Sequence, residues 1–315
     1  MESAHEKITE IEAAKISIWQ LGGLSWRTLA RRIWDELYAG TLLTHAAALA
    51  FYFFFALFPL LLFLVTLLGL LAETGTEMRT TLFRFLSRVA PPSAFALIDE
   101  TLLEIAASAG GWRLWLGLAS ALWFASLGIA ALSESLNAMY GVRDSRPFWK
   151  VRLAAVGLTV ALVVLIVSAL MLMLYGGEIG ASAADHFQQG MIFKTVWSIA
   201  QVPLALVFVL FAFALIYYYA PDLKEQKWYW ITPGSLVGVT LWLIASFGFR
   251  LYLRHFDSYS LTYGSLGAVI ILMLWFYLTG VSILLGGKIN AEVENAAALA
   301  GVPEAKHRGE KEPET

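Results

Sequence analysis

The sequence contains no cysteine, which removes disulfides, thiolate metal sites and thiol chemistry from consideration. Charge is sparse: 15% of the 315 residues are Asp, Glu, Lys or Arg, against about 25% in a soluble domain. A formal net charge of -2 gives no global attraction to nucleic acid. Catalytic signatures are missing too. Gly286-Gly287-Lys288 lacks both the upstream glycine and the following hydroxyl of a phosphate cradle, so ATP hydrolysis by this chain is not expected. The five histidines, His5, His45, His186, His255 and His307, are scattered without metal-ligand spacing, and no G-x-S-x-G elbow occurs. No enzyme activity, no metal and no cofactor are therefore expected.

What the chain has in abundance is apolar surface. Residues of the apolar set make up 59% of it, and the mean hydropathy is +0.68. A membrane-crossing helix needs about 20 mostly apolar residues, and six stretches qualify: His45–Ala72, Trp112–Glu134, Leu153–Gly176, Val196–Ala220, Trp230–Leu253 and Ser265–Gly287. They are long, almost free of charge, and lack the alternation of barrel strands. The expected fold is all-α, a polytopic membrane protein with six transmembrane helices. It divides into an N-terminal segment (1–43), a six-span domain (44–290) with a long outer loop (73–111), and a disordered tail (291–315).

Orientation follows from basic residues near the span ends. Most of the 22 Lys and Arg fall on one side: Lys7, Lys15, Arg27, Arg31 and Arg32 before the first span; Arg143, Arg146, Lys150 and Arg152 after the second; Lys224 and Lys227 after the fourth; Lys288, Lys306, Arg308 and Lys311 after the last. Arg79, Arg84, Arg88, Arg113, Lys194, Arg250 and Arg254 fall on the other. Both termini are thus expected in the cytoplasm. Aromatics at Tyr217–Tyr219 and Trp228–Trp230 suit membrane interfaces. The first 40 residues have no uninterrupted apolar core, so a cleaved leader is not expected.

Two segments outside the bilayer have helical periodicity. Trp26, Leu29, Ile33 and Leu37 form an apolar stripe beside Arg27, Arg31, Arg32, Asp35 and Glu36, with Gly40 as a break. Such a helix either lies on the inner leaflet or braces the bundle. In the outer loop, two short amphipathic helices are expected on either side of Pro91-Pro92, as a gate or as a static cap.

Ionisable and polar groups within spans carry functional suspicion, because burying them is costly. Glu134 stands with Ser133, Ser135 and Asn137 at the inner end of span two. This group either lines a polar cavity or is a carboxylate snorkelling to the interface or pairing with Arg143. Arg250 and Arg254 share a face at the outer end of span five, as a headgroup clamp or as interfacial anchors; His45 reads as interfacial. Pro59 and Pro203 interrupt spans one and four, equivalent positions in two three-helix halves, which points weakly to a transporter site. Gly234 and Gly238, the Gly117–Ser135 stripe, and Gly264, Gly267 and Ala268 read chiefly as packing seams.

Several short motifs, in this order on six spans, are specific. They are Ala47-Ala48-Leu49-Ala50-Phe51-Tyr52 with Phe58-Pro59; Leu136-Asn137-Ala138-Met139-Tyr140; Tyr219-Ala220-Pro221; Pro233-Gly234; Tyr263-Gly264-Ser265-Leu266-Gly267; Trp275-Phe276-Tyr277; and Gly286-Gly287-Lys288-Ile289-Asn290-Ala291-Glu292. With them the chain resembles the YihY/virulence factor BrkB family of bacterial inner-membrane proteins over roughly residues 25 to 295. One departure is Lys288, where the family often has Glu, so no coupling acid carries over to that position. The resemblance implies an inner-membrane location and cytoplasmic termini but supplies no catalytic residues. Some members carry a ribonuclease BN label, against which the empty motif search argues. Others are linked by name to serum resistance or to export of envelope lipids.

The leading expectation is a transporter of an amphipathic or lipid-like envelope substrate, with Glu134, Asn137, Ser133, Pro59, Arg250 and Arg254 along its pathway. The alternative is a non-transporting scaffold for envelope partners; a membrane-bound nuclease is a distant third. The expected partners are membrane lipids and further copies of the chain, not nucleic acid.

Overall fold

A computed structural model describes residues 18–71, 112–186, 190–223, 231–255, 259–302 and 305–311. Every regular element among them is helical. A 3-10 turn, Ile18–Gly23, leads into α1 (Trp26–Ala39). The long helices follow: α2 (Thr41–Leu71), α3 (Trp112–Tyr140), α4 (Phe148–His186), α5 (Gly190–Tyr219), α6 (Pro233–His255) and α7 (Tyr259–Leu299). Each of α2 to α7 contains an apolar window long enough to cross a membrane, as the hydropathy pattern requires. Helices suit that setting because hydrocarbon offers no partner for backbone N–H and C=O groups, and a helix satisfies them internally.

α1 forms as its sequence dictates. The Ser25 hydroxyl accepts the Thr28 N–H at 3.2 Å, and Gly40, at φ 78°, turns left-handed and returns its N–H to the Leu37 carbonyl. Pro59 and Pro203 lie inside α2 and α5, and neither helix ends at its proline.

The six long helices close into a circuit in chain order. Each packs on the next, and α7 returns to α2 while also touching α3. The core lies at one end, here the terminal end, which carries α1, the α3–α4 loop and residues 305–311. It is made of Leu42, Ala46 and Leu49 from α2, Leu132, Leu136 and Met139 from α3, Phe213, Ile216 and Tyr217 from α5, Val239 from α6, and Leu284 from α7. Toward the far end, Trp115 and Leu116 on α3, Val196 and Ile199 on α5, and Phe247 and Leu251 on α6 are exposed.

Three boundaries differ from the hydropathy reading. α4 begins at Phe148, five residues before Leu153, so Arg152 belongs to a helix and not to a loop. α3 continues past Glu134 to Tyr140. α7 continues past Gly287 to Leu299, so residues 291–299 of the expected tail are helical. Ile289, Val293, Ala296 and Ala297 are buried on its extension, which the 3-10 turn and α1 cover through Leu21, Leu29 and Ile33. Beyond it, the Arg308 N–H donates to Asn295 Oδ1 and the Gly309 N–H to the Tyr140 carbonyl. Low hydropathy misled here because these residues are held by polar contacts. Tyr217 departs too: it is buried, not interfacial, and its hydroxyl donates to the Ile283 carbonyl at 2.9 Å. The outer loop 73–111 and the aromatics Trp228–Trp230 lie outside the described residues, as does the side chain of Arg254.

Candidate functional site

Two of the sequence candidates, Ser133 and Asn137, do meet in a buried polar cluster. Four residues apart, they share a face of α3, and both are buried. Asn137 Nδ2 donates to Asp144 Oδ2 at 3.1 Å, while its Oδ1 accepts the Asp222 N–H at 2.7 Å. Arg146 grips Asp144 through Nε at 3.0 Å and Nη2 at 2.7 Å, reaches Ser133 Oγ at 3.0 Å, and lies 3.5 Å from Asp222. Ser133 also donates to the Ala220 carbonyl. Asp222 accepts from the Ser145 N–H and hydroxyl, and Lys311 Nζ sits 2.5 Å from it. The end of α3, the α3–α4 loop, the end of α5 and the C-terminal residues are tied in one lock.

The other candidates are not in it. Glu134 is exposed; at about 100° of helix rotation from Ser133 and about 60° from Asn137, it stands at the edge of the face those two present to the bundle. Glu134 and Arg143 form no ion pair among the described residues. Pro59 is half-buried in α2, and Arg250 is exposed on α6. The structure does not bring these residues to Ser133 and Asn137.

Burial pushes the carboxyls of Asp144 and Asp222 up, yet both end below the ordinary carboxylate range. For Asp144 the hydrogen bonds and charge of Arg146 outweigh the burial. For Asp222 the Lys311 ammonium and the two Ser145 donors do so. Arg146 is held above its usual value, first by its hydrogen bond to Asp144.

A second lock joins α1 to the extension of α7. Lys288 Nζ is 3.0 Å from Glu36 and 3.1 Å from Glu292, and Arg32 Nη1 is 3.0 Å from Glu292. The neighbouring residues set the helix crossing. A Cβ on Gly234 would strike the Gly286 carbonyl, one on Gly286 would strike the Tyr217 hydroxyl, and one on Gly287 would stand 2.5 Å from Leu136 Cδ2. The Gly234 N–H donates to Asn290 Oδ1 at 2.9 Å. α1 itself has two faces. Leu29 and Ile33 brace the α7 extension, while Trp26, Trp34 and Tyr38 point outward.

Each lock pairs two cations with two carboxylates, so neither has charge left over for a ligand. Their chemistry is that of clamps. Among the described residues, no three His, Asp or Glu gather to hold a metal ion. Asp144, Arg146, Asp222 and Lys311 escaped sequence reasoning because each reads alone as a loop charge; the signal was that Asp222 directly follows Tyr219-Ala220-Pro221.

Six apolar helices, clamped at one end by buried ion pairs, make this a polytopic α-helical membrane protein. Residues 33–313 match the virulence factor BrkB family, and the chain belongs to that family. It is 37% identical over 246 residues to the ribonuclease-like protein YfkH of Bacillus subtilis, covering 78% of this chain and 88% of that one. It is 24% identical over 287 residues to a UPF0761 membrane protein of Xanthomonas campestris, and 26% identical over 287 residues to one of Xanthomonas oryzae. These alignments cover 88% of this chain and 63% of each Xanthomonas protein. No solved structure matches. The motifs that carried the resemblance meet in space. Asn137 accepts from Asp222 beside Tyr219-Ala220-Pro221, and Pro233-Gly234 abuts Gly286-Gly287.

Proposed function

We propose that this protein is a transporter, moving an amphipathic, lipid-like envelope substrate across or out of the bacterial inner membrane, with both termini in the cytoplasm. One observation carries the reading: among the described residues, the clamps and the fully buried large apolar side chains, Leu42, Leu49, Leu132, Leu136, Met139 and Leu284, all belong to the terminal end, while Trp115, Val196, Phe247 and Leu251 farther along the helices are exposed. Such a bundle can part its helices toward the bilayer without breaking its clamps, which suits a substrate that enters sideways from lipid.

The test is translocation of a fluorescent phospholipid by purified protein in liposomes. Translocation above empty liposomes is expected; a background-level signal would overturn the reading. Glu134→Gln separates the pathway from the fold. Loss of translocation places the route along the outer face of α3, and retention removes Glu134 from it. Because the chain has no native cysteine, an Arg143→Cys variant reports orientation cleanly, with labelling by an impermeant thiol reagent expected only from the cytoplasmic side.

A scaffold for envelope partners is the second reading, favoured by the outward aromatic face of α1. Deleting residues 302–315 and replacing Trp26, Trp34 and Tyr38 by serine would then abolish partner capture, while a transporter keeps its lipid activity. The ribonuclease-like name of the Bacillus relative supplies a third reading. Pure protein incubated with RNA and magnesium is expected to leave the RNA intact.

A further inference from the structure

Three basic side chains are buried among the described residues: Lys288, Lys306 and Arg152. Lys288 has Glu36 and Glu292, and Lys306 has Glu294 at 4.0 Å. Arg152, 4% exposed, has no carboxylate within ion-pair distance among the described residues. Its Nη2 donates to the Trp123 carbonyl at 2.5 Å, its guanidinium carbon lies 4.5 Å from the Trp123 ring centroid, and its Nε is buried with no partner.

The location sharpens the anomaly. Arg146 reaches Ser133 on α3, whereas Arg152 reaches Trp123, ten residues farther along the same helix. That is about 15 Å of helix, so the guanidinium points away from the terminal lock and into the apolar stretch shared by α3 and α4. A long basic side chain near a helix end ordinarily snorkels outward; this one does the opposite. A guanidinium keeps its charge at any physiological pH, and a carbonyl dipole with a ring face does not neutralise it. Leucine or methionine would fill the same volume without stranding a charge. Neighbouring positions on the two helices are apolar and exposed: Trp123, Phe124 and Leu127 on α3, and Phe148, Trp149 and Leu153 at the start of α4.

We infer that Arg152 is the anion-binding residue of a lipid site on the α3–α4 face, taking the phosphodiester of an anionic phospholipid from the surrounding bilayer. The planar fork suits two phosphate oxygens, the Trp123 ring covers its other face, and the exposed apolar residues receive the acyl chains. A free phosphate shares the headgroup's chemistry but offers nothing to that apolar rim. The site is one of binding and stands independently of whether the protein transports anything.

The experiment uses the full chain in dodecyl maltoside, which contains no phosphate. Phosphatidylglycerol, a phosphate-free glycolipid and inorganic phosphate are added separately, and lipid retention by native mass spectrometry and the shift in Tm are read. The wild type should retain phosphatidylglycerol and gain Tm with it, but not with the glycolipid or with inorganic phosphate. Arg152→Gln should retain it about tenfold more weakly and gain no Tm, while Arg152→Lys, a charge without the fork, should fall between. Without lipid, Arg152→Gln should melt no lower than the wild type; a purely structural arginine predicts a lower Tm there. Equal retention by wild type and Arg152→Gln overturns the inference, as does a shift by inorganic phosphate equal to that by phosphatidylglycerol. Should Arg152→Gln fail to fold, the wild type decides: no preference for phosphatidylglycerol over the glycolipid sinks the site. No transport step enters these readouts, so they and the translocation assay fail separately.

Discussion

At the start of α6, Gly234 stands against the Gly286 carbonyl, where a Cβ has no room; at the far end of the same helix, Gly248 has no atom within 4 Å of where a Cβ would sit. The contrast runs through the molecule. The terminal end combines close backbone crossings, a contiguous apolar core and two charge-balanced locks. Toward the far end, Trp115, Val196, Ile199, Phe247 and Leu251 are exposed among the described residues. Among those residues, the locks and the fully buried large apolar side chains belong to the terminal end.

The sharpest way to break this comparison is the same substitution at both ends of α6. Gly234→Ala should cost about 3 kcal/mol or more, because the obstructing atom is a backbone carbonyl that cannot rotate away. Gly248→Ala should be neutral or gain up to about 1 kcal/mol from helix propensity. Thermal unfolding in detergent reads both, and equal effects would erase the distinction between the ends.

Asp222→Ala should cost about 2 kcal/mol and free the C-terminal residues, so that trypsin cuts after Lys306 and Arg308 at lower protease concentration than in the wild type. Acid should act on the same lock. Asp144 and Asp222 are both held below the ordinary carboxylate range. Their contribution is therefore complete above that range and is lost as pH falls through the lowered values. A profile of Tm against pH should drop below about pH 4 in the wild type and flatten in Asp222→Asn. The smallest effect belongs to the far end: Phe247→Ala, at an exposed position, should stay within about 0.5 kcal/mol.

The spans were legible because a continuous apolar run states its own requirement, to be out of water, whatever surrounds it. α1 was legible because Gly40 and the Leu29–Ile33–Leu37 spacing are local signals. Partnership was not legible. Lys288 and Glu292 are a local i,i+4 pair, but Arg32 lies 260 residues before Glu292, and no local rule says that α1 supplies the other half of that lock. Glu134 drew attention through its charge, yet the neighbours that matter, Ser133 and Asn137, face inward while it faces out. Arg152 was counted as a loop cation because hydropathy falls at Lys150. The apolar Phe148, Trp149 and Val151 before it were the sign that the helix had already begun.

The closure of α7 onto α2 has a consequence for how the protein is made. The first span leaves the ribosome long before the last, yet Arg32 and Glu36 of α1 pair with Glu292 and Lys288, and Leu29 and Ile33 pack with Ile289 and Val293. A nascent chain carrying five spans therefore holds α1 without these contacts. Synthesis of α7 closes the circuit and the second lock together, so a chain truncated before Gly286 would carry α1 with neither ion pair made.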